Sequence, residues 1–132
     1  MIFKNVLFIL VVFLTFTFCD SSSNIVGSNE DVEINNVSFI VDTTYLMNSQ
    51  LYAKGRVTNL GTKSTESPWY VEAQFYTDST YKLKLGGDYT EIGVPLDPYQ
   101  STFWTLSFST STVDVNEYPN FRVSDFRAIY KN

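Results

Sequence analysis

The sequence predicts an all-β protein, an immunoglobulin-like antiparallel sandwich of about six to eight strands preceded by a signal segment. Three observations lead there. Apolar residues alternate with a period of two over most of the chain beyond Asp31, turn residues punctuate it at short intervals, and nothing beyond the signal keeps a helical period.

The first strand is expected near residues 32–42, where Val37, Phe39 and Val41 alternate with Ser38 and Ile40. A second follows in which Leu51, Ala53, Gly55 and Val57 alternate with Tyr52, Lys54, Arg56 and Thr58. After breaks at Leu60-Gly61-Thr62-Lys63, the run Trp69 to Tyr76 places Trp69, Val71, Ala73 and Phe75 on one face and Glu72 and Gln74 on the other. Weaker strands are expected at Tyr81–Leu85 and Tyr89–Val94, with Gly86-Gly87 as a hairpin turn between them. Pro95-Leu96-Asp97-Pro98 ends that region, and Trp104, Leu106 and Phe108 then alternate against Thr105 and Ser107. The break at Glu117-Tyr118-Pro119-Asn120 opens the last segment, in which Phe121 and Val123 share one phase and Phe126, Ala128 and Tyr130 the other. That slip of one residue predicts a bulge near Ser124-Asp125.

The chain begins with one cation, Lys4, followed by thirteen residues from Val6 to Phe18 that are apolar apart from Thr15 and Thr17. This is the pattern of a secretory signal, and it is shorter than the roughly 20 residues a permanent membrane helix needs. Cys19, the single cysteine, comes next and resembles the modified cysteine of a bacterial lipobox, although Phe16, Thr17 and Phe18 depart from the usual small and branched residues before it. Lipid attachment at Cys19 is the expectation. Ordinary cleavage after Cys19 and an uncleaved anchor are the alternatives. All three export the rest of the chain to the cell envelope or beyond.

Residues 20–31 are mostly Ser, Asn, Gly and acid, a composition expected of a tether, which leaves residues 32–132 for the sandwich. The 132 residues less the first 19 leave 113, enough for one self-supporting domain. With one cysteine there is no internal disulfide, so the aromatic residues, 11 Phe, 9 Tyr and 2 Trp in the chain with all but 5 of the Phe beyond the signal, must supply the core. Trp69 and Trp104 fall in phase with core positions.

Beyond the signal stand 8 basic and 14 acidic residues, a charge of −6 that repels nucleic acid phosphates. Histidine is absent, which excludes serine–histidine and cysteine–histidine catalysis. The chain has neither a phosphate-binding glycine loop nor a calcium loop, and Glu72, Asp78, Glu91 and Asp97 are expected to be solvated positions of strands and turns. The protein is therefore expected not to be an enzyme, and no cofactor or metal is expected. Asn36-Val37-Ser38 is a glycosylation acceptor only in a eukaryotic secreted protein, a source that is not favoured.

Gly55-Arg56-Val57-Thr58-Asn59-Leu60-Gly61 reads G-x-V-x-N-x-G, and Val71-Glu72-Ala73-Gln74-Phe75-Tyr76-Thr77-Asp78 reads V-x-A-x-F-Y-x-D, followed by Pro95-Leu96-Asp97-Pro98 and an aromatic strand from Phe103. Over about residues 32–130 this order is similar to the FxLYD domain family, small β-sandwich modules of exported and lipid-anchored prokaryotic proteins. The resemblance implies a scaffold without catalytic residues. Asn59 and Gly61 suit a turn in which both tolerate positive φ.

Tyr52, Tyr70, Tyr76, Tyr81, Tyr89 and Tyr99 fall at outward phase or near loops. Exposed tyrosines stack on sugars or anchor proteins through an amphipathic ring. Tyr52, Tyr70 and Tyr76 are the candidate ligand-binding residues. The functional expectation is a protein-interaction or structural module anchored through Cys19, its partner an envelope protein docked on a sheet edge. The alternative is a carbohydrate-binding module.

Overall fold

The computed structural model describes residues 30–132; Cys19, the signal segment and tether residues 20–29 lie outside the described residues. Seven strands run in the order β1 (Val32–Glu33), β2 (Val37–Met47), β3 (Gln50–Asn59), β4 (Trp69–Tyr76), β5 (Lys84–Ile92), β6 (Ser101–Phe108) and β7 (Arg122–Tyr130). They form two antiparallel sheets, β1-β7-β4-β5 and β2-β3-β6. This is the expected β-sandwich. A 3-10 turn at Val115–Glu117 precedes β7.

Period-two patterning fills the space between the sheets. Leu51, Ala53 and Val57 from β3 meet Trp69, Val71, Ala73 and Phe75 from β4, all fully buried. Trp104, Leu106, Phe121 and Ala128 close the same core, and each large apolar side chain buried there contributes roughly 1.5–3 kcal/mol. Both tryptophans are core residues, as their phase predicts. Phe75 stacks on Phe108 and Phe121 with ring centroids 5.5 and 5.9 Å apart.

Gly55 is part of this packing. A Cβ there would lie 1.9 Å from the Ile40 carbonyl oxygen and 2.5 Å from the Trp104 ring, so only glycine lets β2 approach over the tryptophan. On the last strand, Glu72 pairs with Arg127 and Gln74 with Ser124, which leaves one extra residue at the expected bulge. Asp125 sits there with φ 55.

Four expectations are corrected. The strand near 32–42 is two strands on different sheets: Asn36 takes φ 59 and its carbonyl accepts from the Leu60 amide, turning the chain from β7's edge into β2. The strand β2 then runs on to Met47 through a bulge between Val41 and Thr43, so that Leu46 packs on the core after Val37 and Phe39. The Gly86-Gly87 pair is not a hairpin turn. One strand, β5, runs through it, paired with β4 and bulged at Leu85; Gly86 is glycine there because its φ is 156 and a Cβ would lie 2.5 Å from the Phe108 ring. Asn59 and Gly61 do not adopt positive φ. The side chain of Asn59 is what the turn requires: its amide nitrogen donates to the carbonyls of Lys63 (2.8 Å) and Leu96 (2.9 Å), and its oxygen accepts from the Gly61 amide at 2.9 Å. Finally, Tyr76 is buried although it stands in outward phase next to Phe75: Tyr81 packs edge-on against its ring at 5.4 Å, Lys84 lies over the ring and Asp125 accepts from its hydroxyl.

Candidate binding surface

The three candidate tyrosines occupy three separate places. Tyr52 lies on the outer face of β2-β3-β6, stacked on Tyr45 at 4.9 Å with its hydroxyl donating to Gln50. Tyr70 lies on the outer face of the opposite sheet, edge-on to Tyr89 at 6.0 Å. The Lys131 ammonium sits 3.5 Å from the Tyr89 ring centroid and 5.5 Å from that of Tyr70, a cation–π contact that occupies ring surface a sugar would need. Tyr76 donates from its hydroxyl to the Asp125 carboxylate, which with burial holds the phenol above its ordinary pKa of 10.0. No single platform contains all three.

The acidic candidates are equally dispersed. Glu72 binds Arg127, Asp78 caps its own turn through the amide and hydroxyl of Thr80, and Asp97 accepts from Ser64. Glu91 lies on the outer face opposite Tyr70. Among the described residues, no three acidic, histidine or cysteine side chains are placed to hold a metal, and no helix is long and apolar enough to cross a membrane.

The most exposed apolar side chain on a sheet face is not a tyrosine. Phe103, the third residue of β6, is 76% exposed. It pairs with Arg56 of β3, which pairs with Ile40 of β2, so that Ile40, Arg56 and Phe103 form one row across the sheet. Ile40 is itself exposed, and Arg56 is fixed in the row by a two-point contact with Asp42 at 3.0 and 3.2 Å. The signal was present in the sequence: Ile40 and Phe103 are among the apolar residues out of phase with their own strands' core positions.

The edges of both sheets carry features that oppose strand addition. The strand β1 is two residues long, and β2 and β5 are bulged. On β6 the Ser107 amide donates to the Asp88 carboxylate at 2.9 Å, which fills a position an incoming strand would use. The clefts among the loops, such as that of about 310 Å³ beside Ser49 and residues 110–115, converge on no group of functional side chains.

No protein-family model matches the chain, and neither the curated proteins nor the solved structures contain a match to it.

Proposed function

We propose that this chain is a non-enzymatic, exported module, held at the cell envelope by lipid on Cys19, that binds a protein partner through the outer face of β2-β3-β6. The observation that carries the reading is the row Ile40–Arg56–Phe103, two exposed apolar side chains flanking a fixed guanidinium. Aromatic and arginine side chains dominate the energetics of protein interfaces, and the loss of roughly 1.5–3 kcal/mol from leaving a phenylalanine in water is recovered when a partner covers it. The blocked edges favour contact through this face over the strand addition expected from the sequence. The FxLYD-type reading fits the same picture, for that resemblance implies a scaffold, and its shared Asn59 serves the fold by tying loops together.

A photoreactive amino acid placed at Phe103 in the native host tests this. A discrete crosslinked protein at Phe103, with none when the group is placed at Tyr89 on the opposite sheet, is expected. Equal crosslinking at both positions, or none at Phe103, overturns the proposal. The carbohydrate alternative predicts instead a glycan-array signal that disappears on replacing Tyr52 or Tyr70.

A further inference from the structure

One end of the sandwich carries exposed apolar side chains on loops that are unusually well tied down. Leu60, Val94 and Tyr99 are 49%, 50% and 78% exposed. They lie on the two connections that leave β3 and β5, and these connections are bonded to each other. The Tyr99 amide donates to the Asn59 carbonyl at 2.6 Å, the Thr65 amide to the Leu96 carbonyl at 2.9 Å, and the Leu96 amide to the Thr65 hydroxyl at 2.8 Å. Trp69 fixes the neighbouring turn by donating from its indole to the Val94 carbonyl at 2.8 Å. Apolar side chains held on rigid loops lose little conformational entropy when they are covered.

The chain enters the domain at this same end. Glu30 is held by Asn132, whose side-chain amide donates to its carbonyl at 2.7 Å, and Val32 pairs with Tyr130. Tyr130 in turn accepts from the Glu66 amide, in the loop that follows Leu60. Eleven residue steps separate Glu30 from Cys19, which span at most about 40 Å when fully extended. A chain fastened at Cys19 therefore keeps this end within that distance of the bilayer.

We infer that Leu60, Val94 and Tyr99 form a membrane-facing end that rests on the lipid headgroup region and leaves the Ile40–Phe103 face turned sideways to its partner. The inference rests on the Cys19 anchor proposed above. Tyrosine suits the position, its ring apolar and its hydroxyl wet, as at membrane interfaces generally. The charges at this end select the lipid: Glu30, Asp31, Glu66 and Asp97 outnumber Lys63 and Lys131, so zwitterionic headgroups are the partner and anionic ones are repelled.

The test places an environment-sensitive fluorescent amino acid at Val94, at Tyr99 or, at the far end of the sandwich, at Ser111, in protein purified from its host and reconstituted into phosphatidylcholine vesicles. Blue-shifted emission quenched by brominated acyl chains is expected at Val94 and Tyr99, with Ser111 unchanged from the detergent-free soluble value. Quenching at Ser111 equal to that at Tyr99, or no response at either loop, overturns the inference. Intact mass is recorded first. If it shows no acyl chains, the anchor reading has failed on its own account, and the same probes are read on the chain beginning at Cys19 coupled through its thiol to a maleimide lipid. There the same two patterns decide the orientation.

Discussion

The hydroxyl of Tyr76 donates a hydrogen bond to the carboxylate of Asp125, joining the end of β4 to the bulge of β7. The bulge aims the Asp125 side chain at β4, and Asp125 takes φ 55 in doing so. The hydrogen bond, burial and the neighbouring negative charge all disfavour the phenolate.

That contact predicts an alkaline dependence. A phenol whose pKa is raised on folding contributes stability in full below its unfolded value near 10.0, and the contribution is lost as pH rises through the higher folded value. Urea midpoints measured from pH 8 to 11 should therefore fall on the alkaline side. Tyr76→Phe should start lower and lose less over the same range. An identical alkaline slope in the variant would show that Tyr76 contributes nothing to it.

Asp78 predicts the acid limb. Hydrogen bonds from the Thr80 hydroxyl and amide hold its carboxyl below the ordinary 3.8. A depressed carboxyl contributes stability above its unfolded pKa that disappears as pH falls through the folded one. Asp78→Asn should flatten the loss of stability between pH 4 and 2, which acid titration followed by circular dichroism would detect.

Asn59 is 2% exposed and makes three hydrogen bonds to backbone groups of two loops. Removing its amide leaves the carbonyls of Lys63 and Leu96 and the amide of Gly61 without those partners. Asn59→Ala should cost about 2–3 kcal/mol in urea unfolding, within the range for stranded buried polar groups. Asn59→Asp should cost more at neutral pH, because a carboxylate oxygen then faces two carbonyl oxygens.

Gly86 tests why β5 passes straight through a glycine pair. Gly86 has φ 156, which side chains rarely adopt, and a Cβ there meets the Phe108 ring at 2.5 Å, so Gly86→Ala should destabilise by about 1–3 kcal/mol. Combining it with Phe108→Leu should return a favourable coupling, since the smaller side chain vacates the space. Strictly additive effects would mean that the ring is not what excludes the methyl group.

Where burial alternates along a single strand, the fold was legible from sequence. Leu51, Ala53 and Val57 on β3 and Trp69, Val71, Ala73 and Phe75 on β4 announced their faces by spacing alone, and the slip between Val123 and Phe126 located the β7 bulge. Features set by contact between distant segments were not. Gly86-Gly87 has the composition of a turn, and its place inside a strand comes from pairing with Phe75 and Gln74 under the ring of Phe108, 22 positions later. The placement of Val32 and Glu33 on the sheet opposite β2 depends on pairing with residues Ile129 and Tyr130. Tyr76 does fall in outward phase, but what buries it, the ring of Tyr81 and the carboxylate of Asp125, reaches it only through the folded chain.

The candidate surface was legible in part for the same reason. Tyr52 and Tyr70 do face outward, but which sheet each strand joins is a long-range outcome, and it puts them on opposite sides of the molecule. Ile40 and Phe103 were visible as apolar residues in the wrong phase. Their meeting across Arg56 required the register of three strands.

The row should be dispensable for folding. Ile40→Ser together with Phe103→Ser removes exposed side chains, so the urea midpoint should move by no more than about 0.5 kcal/mol in equivalent stability. Carbene footprinting of the protein in its native envelope against the purified protein tests directly whether a partner covers this face. Ile40 and Phe103 should lose most of their labelling in the envelope while Tyr89, on the opposite sheet, labels equally in both. Equal labelling of Phe103 in the two preparations would contradict the assignment of this face to a partner.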